Sequence, residues 1–253
     1  MNVTGITRRT ALTAAAGAGL VSTGLLGLSS PAVAAPQPPS PQPFPNEELK
    51  EALRRAKARD RRVLTGRPSA NRWDMQKEVD AGGDIATCSV PGTGLTVAVR
   101  VGDVETVLVH VVRRFHYEVD ALGRDGEPRP VEGWVAPSSV RDSRSPESNR
   151  ASGTAVVIRP GSYPPGATGG FTAAQRLVIR DIIADTEGIV RWGGDDRHRP
   201  YEGLFYLTAR PDSPRLAKVA ERLRTWGTTS GLAAGTLVDT AQPSRRRRAA
   251  RYQ

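Results

Sequence analysis

Cysteine is almost absent: Cys88 is the only one in 253 residues. No internal disulfide can form, so the fold must rest on its hydrophobic core. Cys88 has no supporting motif around it and reads as a small buried residue rather than a nucleophile. Histidine is nearly as scarce, with only His110, His116 and His198. His110 and His116 are six apart and so fall on different faces of a helix. His198 lies in the charged run D-D-R-H-R, where with Asp195 and Asp196 it offers at most a weak cation site. Strongly apolar runs are missing too. Ala11 to Leu28 is uncharged and mildly apolar, its Ala, Leu and Val diluted by Gly, Ser and Thr, too weak for a bilayer span of roughly 20 strongly apolar residues. There is no internal repeat, and the order of helices and short strands has no βαβ rhythm, which favours an α+β fold.

What is present begins with Arg8 and Arg9, followed by the uncharged run and then Ala32-Val33-Ala34, a small-x-small cleavage pattern. This order predicts a twin-arginine (Tat) signal peptide over 1–34 and a secreted, extracellular, cell-wall associated protein. Residues 35–45, A-P-Q-P-P-S-P-Q-P-F-P, read as an extended proline-rich linker. The formal net charge is +10. Two of those charges are Arg8 and Arg9, and five more are Arg245, Arg246, Arg247, Arg248 and Arg251. The rest of the chain is only slightly basic, which argues against a nucleic-acid-binding fold. The last stretch, 231–253, is expected to be a solvated, disordered basic tail whose outside-cell partners would be anionic wall polymers or lipid headgroups.

Periodicity and caps predict the elements between. Asn46 to Leu64 reads as a helix with Leu49, Leu53, Ala56 and Val63 near one face, and 46–85 as a helical extension. Thr93–Val101, Val131–Val135, Gly153–Ile158, Ile189–Trp192 and Leu204–Thr208 read as strands. Helices are expected from Val104 to about Phe115, from Ala173 to Asp185 capped by Thr172, and from Ser213 to Trp226 as the last helix. Together they predict a small mixed or antiparallel sheet packed with helices over 86–230.

Four stretches carry a resemblance: Gly102–Val119, Ser148–Ile158 (S-N-R-A-S-G-T-A-V-V-I), Phe171–Gly194 (ending V-R-W-G-G) and Tyr201–Leu207 (Y-E-G-L-F-Y-L). They resemble the zinc-dependent D-Ala-D-Ala carboxypeptidases and L-Ala-D-Glu endopeptidases of the VanY type, in their actinobacterial, Tat-exported branch. That family cuts peptidoglycan stem peptides. The resemblance implies a VanY-type peptidase fold with zinc held by a His and an Asp seven residues later, and by a second His. A carboxylate three residues before that second His serves as general base on the zinc-bound water.

All four positions depart from the pattern. They are occupied by Arg150, Val157, Leu204 and, at the base, Tyr201. Arg150 stays protonated, Val157 and Leu204 have no donor atom, and a lone phenol is a poor ligand at neutral pH. The resemblance therefore implies a pseudoenzyme with no zinc cofactor and no catalytic residues. Arg150 puts a permanent cation where the metal sat. It is expected either to attract the carboxylate of a stem peptide or to pair with Glu202 or another acid. Arg150, Ser152, Thr154, Trp192 and Glu202 are the candidate substrate-binding residues. The expected partners are peptidoglycan stem peptides or anionic wall polymers. The competing expectation is an active wall peptidase using other residues.

Overall fold

Helix α1 (Asn46–Val63) starts with Glu47 and Glu48 and ends with Arg61 and Arg62, complementing the helix dipole at both ends. It is also laced by the exposed pairs Lys50–Glu47 and Arg55–Glu51. Of its predicted apolar face only Val63 is buried, whereas Leu49 and Leu53 are 63% and 54% exposed. The expectation of a core-facing helix is corrected here: α1 projects from the body and is anchored at its C-terminal end.

These elements belong to a computed structural model that describes residues 46–229, 231, 234–236 and 238–252. The expected signal peptide and the proline-rich linker lie outside the described residues. The helix expected over 46–64 ends at Val63, and the rest of the 46–85 extension carries short strands that were not expected. The chain leaves α1 directly into β1 (Leu64–Pro68), which pairs antiparallel with β2 (Asp74–Gln76). A second hairpin follows, β3 (Ile85–Val90) with β4 (Leu95–Arg100), in continuous register from Ile85↔Arg100 to Val90↔Leu95. Gly92 and Gly94, both at positive φ, make its turn, a conformation that side chains with a Cβ resist.

Helix α2 (Asp103–Glu118) is the spine of the core. Val104, Val107, Leu108, Val111, Val112 and Phe115 recur at helical spacing and are all buried. It packs against a four-stranded antiparallel sheet of order β5-β6-β8-β7: β5 Val131–Glu132, β6 Ala155–Ile158, β8 Leu204–Leu207 and β7 Val190–Trp192. Helix α3 (Ala173–Asp185) opens on a capping box, in which Thr172 Oγ1 accepts from the Gln175 amide at 3.2 Å and Gln175 Oε1 accepts from the Thr172 amide at 3.0 Å. Helix α4 (Pro214–Thr228) contributes Leu216, Val219, Ala220 and Leu223.

Strand alternation divides the sheet. Val156, Ile158, Phe205 and Leu207 enter the main core with α2, α3 and α4. Ala155, Val157, Leu204 and Tyr206 face the other way and, with Tyr201, form a separate small cluster. The architecture is α+β, with five helices and small antiparallel sheets among the described residues.

The helix from 213 is not the last one, and the basic tail is not simply solvated. Helix α5 (Pro243–Ala250) packs on α3 with Ala249 buried, Arg245 paired to Asp181 and Arg248 paired to Asp185. No helix among the described residues is long and apolar enough to cross a membrane.

Candidate functional site

The outer face of the sheet brings together three of the four positions that the resemblance singles out. Val157 on β6 lies directly opposite Leu204 on β8 in the antiparallel register, a pairing that holds side chains in contact. Tyr201 closes over them at the start of the turn into β8, and with Ala155 these four are each at most 5% exposed, with Tyr206 partly buried against them. The segment Arg191–Gly194 packs its backbone against this cluster. Tyr201 donates its amide to the Gly193 carbonyl at 3.0 Å. A Cβ on Gly193 would sit 2.6 Å from the Tyr201 carbonyl oxygen and 3.1 Å from Leu204 Cβ. Only glycine permits that approach.

What opens to solvent above this cluster is a cavity of about 30 Å³ bordered by Tyr201, Leu204, Tyr206, Glu147, Asp196 and Arg199. That is space for about two waters, against the roughly 300–1,000 Å³ of a typical small-molecule pocket. Burial raises the Tyr201 phenol above its ordinary pKa, with nearby Arg150 acting in the opposite direction. The hydroxyl is therefore neutral at physiological pH.

Arg150 sits at the end of a 3-10 turn, Pro146–Arg150. Its Nη2 is 2.8 Å from Glu132 Oε2, and its Nε donates to the Gly133 carbonyl at 3.1 Å. Glu132 in turn stands opposite Val157 in the β5–β6 register. Arg150 is thus committed to an acid across the edge of the sheet. The expected pairing with an acid is present, but the acid is Glu132 and not Glu202, which points elsewhere. Its two carboxylate oxygens accept the amides of Gly169 and Gly170 at 3.0 and 2.8 Å, and it is 5% exposed. It pins the proline- and glycine-rich loop 160–170 to the sheet through charge-assisted hydrogen bonds.

Ser152 and Thr154, expected to bind substrate, are fully buried. Their hydroxyls lie 2.9 Å apart, and Ser152 Oγ is 2.8 Å from Ser69 Oγ. Asn71 Nδ2 donates to Thr154 Oγ1 at 2.9 Å and to the Leu207 carbonyl at 3.1 Å. Asn149 Nδ2 donates to the same carbonyl at 3.1 Å. This saturated polar knot ties the loop between β1 and β2 to the sheet, and no ligand reaches it. The sequence could not separate the two roles, since Ser, Asn and Thr serve binding sites and buried networks alike. Trp192 is corrected for the same reason. It is 3% exposed, donates Nε1 to the Glu202 carbonyl at 2.6 Å and carries the Arg180 guanidinium 5.2 Å from its ring centroid.

The remaining reactive side chains are also engaged. The Cys88 thiol is pushed up to about 11 by burial, reinforced by Glu105, and is not a thiolate at neutral pH. His116 Nδ1 accepts the Leu122 amide at 3.0 Å. Near His198, Asp196 accepts the amides of His198 and Arg199 at 2.8 and 3.0 Å, and Asp195 pairs with Arg180. Among the described residues no three His, Cys, Asp or Glu side chains are gathered as metal ligands.

A dense charged cluster that the sequence reading missed lies between α2, α3 and α5. Arg114 Nη1 is 2.7 Å from Asp185 Oδ2 and 3.0 Å from Asp181 Oδ2, and Arg114 also pairs with Glu118. Two buried carboxylates, Asp181 and Asp185, and the partly buried Glu118 against one guanidinium leave two negative charges. Helix α5 supplies Arg245 to Asp181 and Arg248 to Asp185. Burial alone would raise the Asp185 pKa. Contact with His110 and the guanidiniums of Arg114 and Arg248 outweighs it and holds the group well below the usual carboxylate range. His110 Nε2 stands 3.5 Å from Asp185 Oδ2, the outer limit of a hydrogen bond, with no closer partner among the described residues. The signals were there in sequence, Asp181 and Asp185 one helical turn apart and arginines three apart in the tail, but nothing local joined residues 63 and 64 positions distant.

Comparison with family models, with curated proteins and with solved structures finds no match to this chain, so the VanY resemblance rests on the four sequence stretches alone.

Proposed function

We propose that this chain is an exported, wall-associated protein on a VanY-type framework whose metallopeptidase centre has been converted into packing, leaving a non-catalytic binder of peptidoglycan peptides or of a wall partner. One observation carries the reading. The positions that the resemblance assigns to two zinc ligands and the general base, Val157, Leu204 and Tyr201, do meet at one point, and they meet as a closed apolar cluster. Convergence is what a metal site requires of its framework; the side chains that converge offer no ligand set for zinc. Replacing ligands by Val and Leu also removes polar groups that burial would otherwise leave without partners.

Arg150 fits the same reading. A guanidinium at the first ligand position keeps positive charge there, and Glu132 neutralises it. Recognition then falls to the rim, where Glu147, Asp196, Arg199 and Tyr206 surround the shallow cavity. Both signs of charge are present, as a zwitterionic peptide end demands. The test is to incubate the mature protein with purified peptidoglycan and with stem peptides. Co-sedimentation with the wall, weakened by Arg199→Glu, and no release of D-Ala are expected. Release of D-Ala, or cleavage after L-Ala, would replace this reading with that of an active wall peptidase.

A further inference from the structure

The charged cluster gives helix α5 two faces. Residues 245, 248, 249 and 252 turn inward, where Arg245 and Arg248 meet the buried aspartates and Ala249 is buried. Residues 246, 247 and 251 turn outward, and their arginines are exposed. No carboxylate among the described residues lies within ion-pair distance of these three. The inner pair is consumed by the fold; the outer three are not. Beside them runs an open groove of about 470 Å³ between α3 and α5, bordered by Arg180, Arg246, Arg247, Leu177 and Pro243. Of its three guanidiniums, only Arg180 is engaged, by Asp195.

We propose that this groove and the outer arginines of α5 form a docking site for a linear phosphodiester polymer without bases, of the poly(glycerol phosphate) kind. Arginine forks match phosphate oxygens in pairs, and a repeating anion engages several arginines at once with release of counterions. Two competing polyanions fit less well. Single-stranded nucleic acid binds through aromatic platforms on which bases stack, and the groove is bordered by no aromatic side chain. Firm seating on an anionic membrane surface adds burial of large apolar side chains to the attraction of charge. The exposed large apolar residues among those described are Leu49, Leu53, Val101 and Tyr117, none on α3 or α5. The site is separate from the closed cluster on the sheet, so the proposal stands or falls independently of the reading given there.

The experiment titrates the full mature chain with a synthetic poly(glycerol phosphate), with single-stranded DNA and with anionic phospholipid vesicles. It compares Arg246→Gln/Arg247→Gln/Arg251→Gln with Arg54→Gln/Lys57→Gln/Arg61→Gln, an equal loss of charge on α1. The expected result is salt-sensitive binding of the polymer by the unaltered chain. That binding should weaken at least tenfold in the α5 variant and less than about twofold in the α1 variant, with unchanged thermal midpoints in both. Four results overturn the proposal: no binding of the polymer, equal weakening by both variants, binding of DNA as tight as of the polymer, or vesicle binding that α5 substitution abolishes while polymer binding survives.

Discussion

The outer face of the sheet and the cleft between α2, α3 and α5 solve opposite problems. On the sheet, Val157 and Leu204 face each other with Tyr201 above them and require nothing beyond contact. Between the helices, Asp181, Asp185 and Glu118 are held in a poorly solvated place, and each obliges the fold to supply a cation. An apolar cluster fails gradually as atoms are removed from it. An ionic cluster fails as soon as one partner leaves, because the charge left behind has lost both water and its counter-charge. The region that looks in sequence like the remains of an active centre is thus the quieter of the two. The region that looks like a disposable tail is bound into the fold.

The sharpest way to break that contrast is to delete Pro243–Gln253. Asp181 and Asp185 then lose their α5 arginines and share Arg114 as their guanidinium, and the expected cost is on the order of 3 kcal/mol, seen as a fall in thermal midpoint of roughly 6–12 °C. An unchanged midpoint would return the tail to the solvated role first expected of it. Next in size is Leu204→Ala, which opens a cavity in the small cluster and is expected to cost about 2–3 kcal/mol, toward the lower end for buried leucines because the cluster is small and near the surface.

A pH profile separates the two regions further. Since the folded-state pKa of Asp185 is depressed, its contribution is fully present at neutral pH and is lost as the pH falls below about 4, through and beneath the ordinary aspartate range. Asp185→Asn should lower stability at pH 7 and flatten this acid limb, while Leu204→Ala should shift the profile without changing its shape. The smallest effect is expected at Leu49→Ala with Leu53→Ala. Both side chains are exposed on α1, and denaturant midpoints should report a change within about 0.5 kcal/mol.

Local signals made much of the fold legible. The i, i+3, i+4 spacing of α2, the Thr172–Gln175 box of α3 and the short apolar runs of β6 and β8 are all written within a few residues of where they act. The hairpin strand β3 is hard to read because Ile85-Ala-Thr-Cys-Ser-Val is only mildly apolar and gains its burial from partners elsewhere in the chain, β4 among them. Helix α1 shows the converse. Its apolar stripe is real in sequence, but nothing among the described residues covers Leu49 or Leu53. Helix α5 was missed because four consecutive arginines read as solvated charge, and only the placement of Asp181 and Asp185 reveals that two of them turn inward. At the candidate site the convergence of Val157, Tyr201 and Leu204 came through the resemblance, whereas the burial of Ser152, Thr154 and Trp192 depends on partners as distant as Ser69 and Asn71.

On the proposed reading, the positions that converge on the sheet serve as packing in place of a zinc centre. Elemental analysis of the purified mature protein after incubation with excess zinc and desalting addresses it most directly, alongside the variant Arg150→His, Val157→Asp, Tyr201→Asp, Leu204→His. The unaltered protein is expected to retain well under one zinc per chain and the variant more. About one tightly held zinc per unaltered chain, with peptide hydrolysis that a chelator abolishes, would contradict the claim.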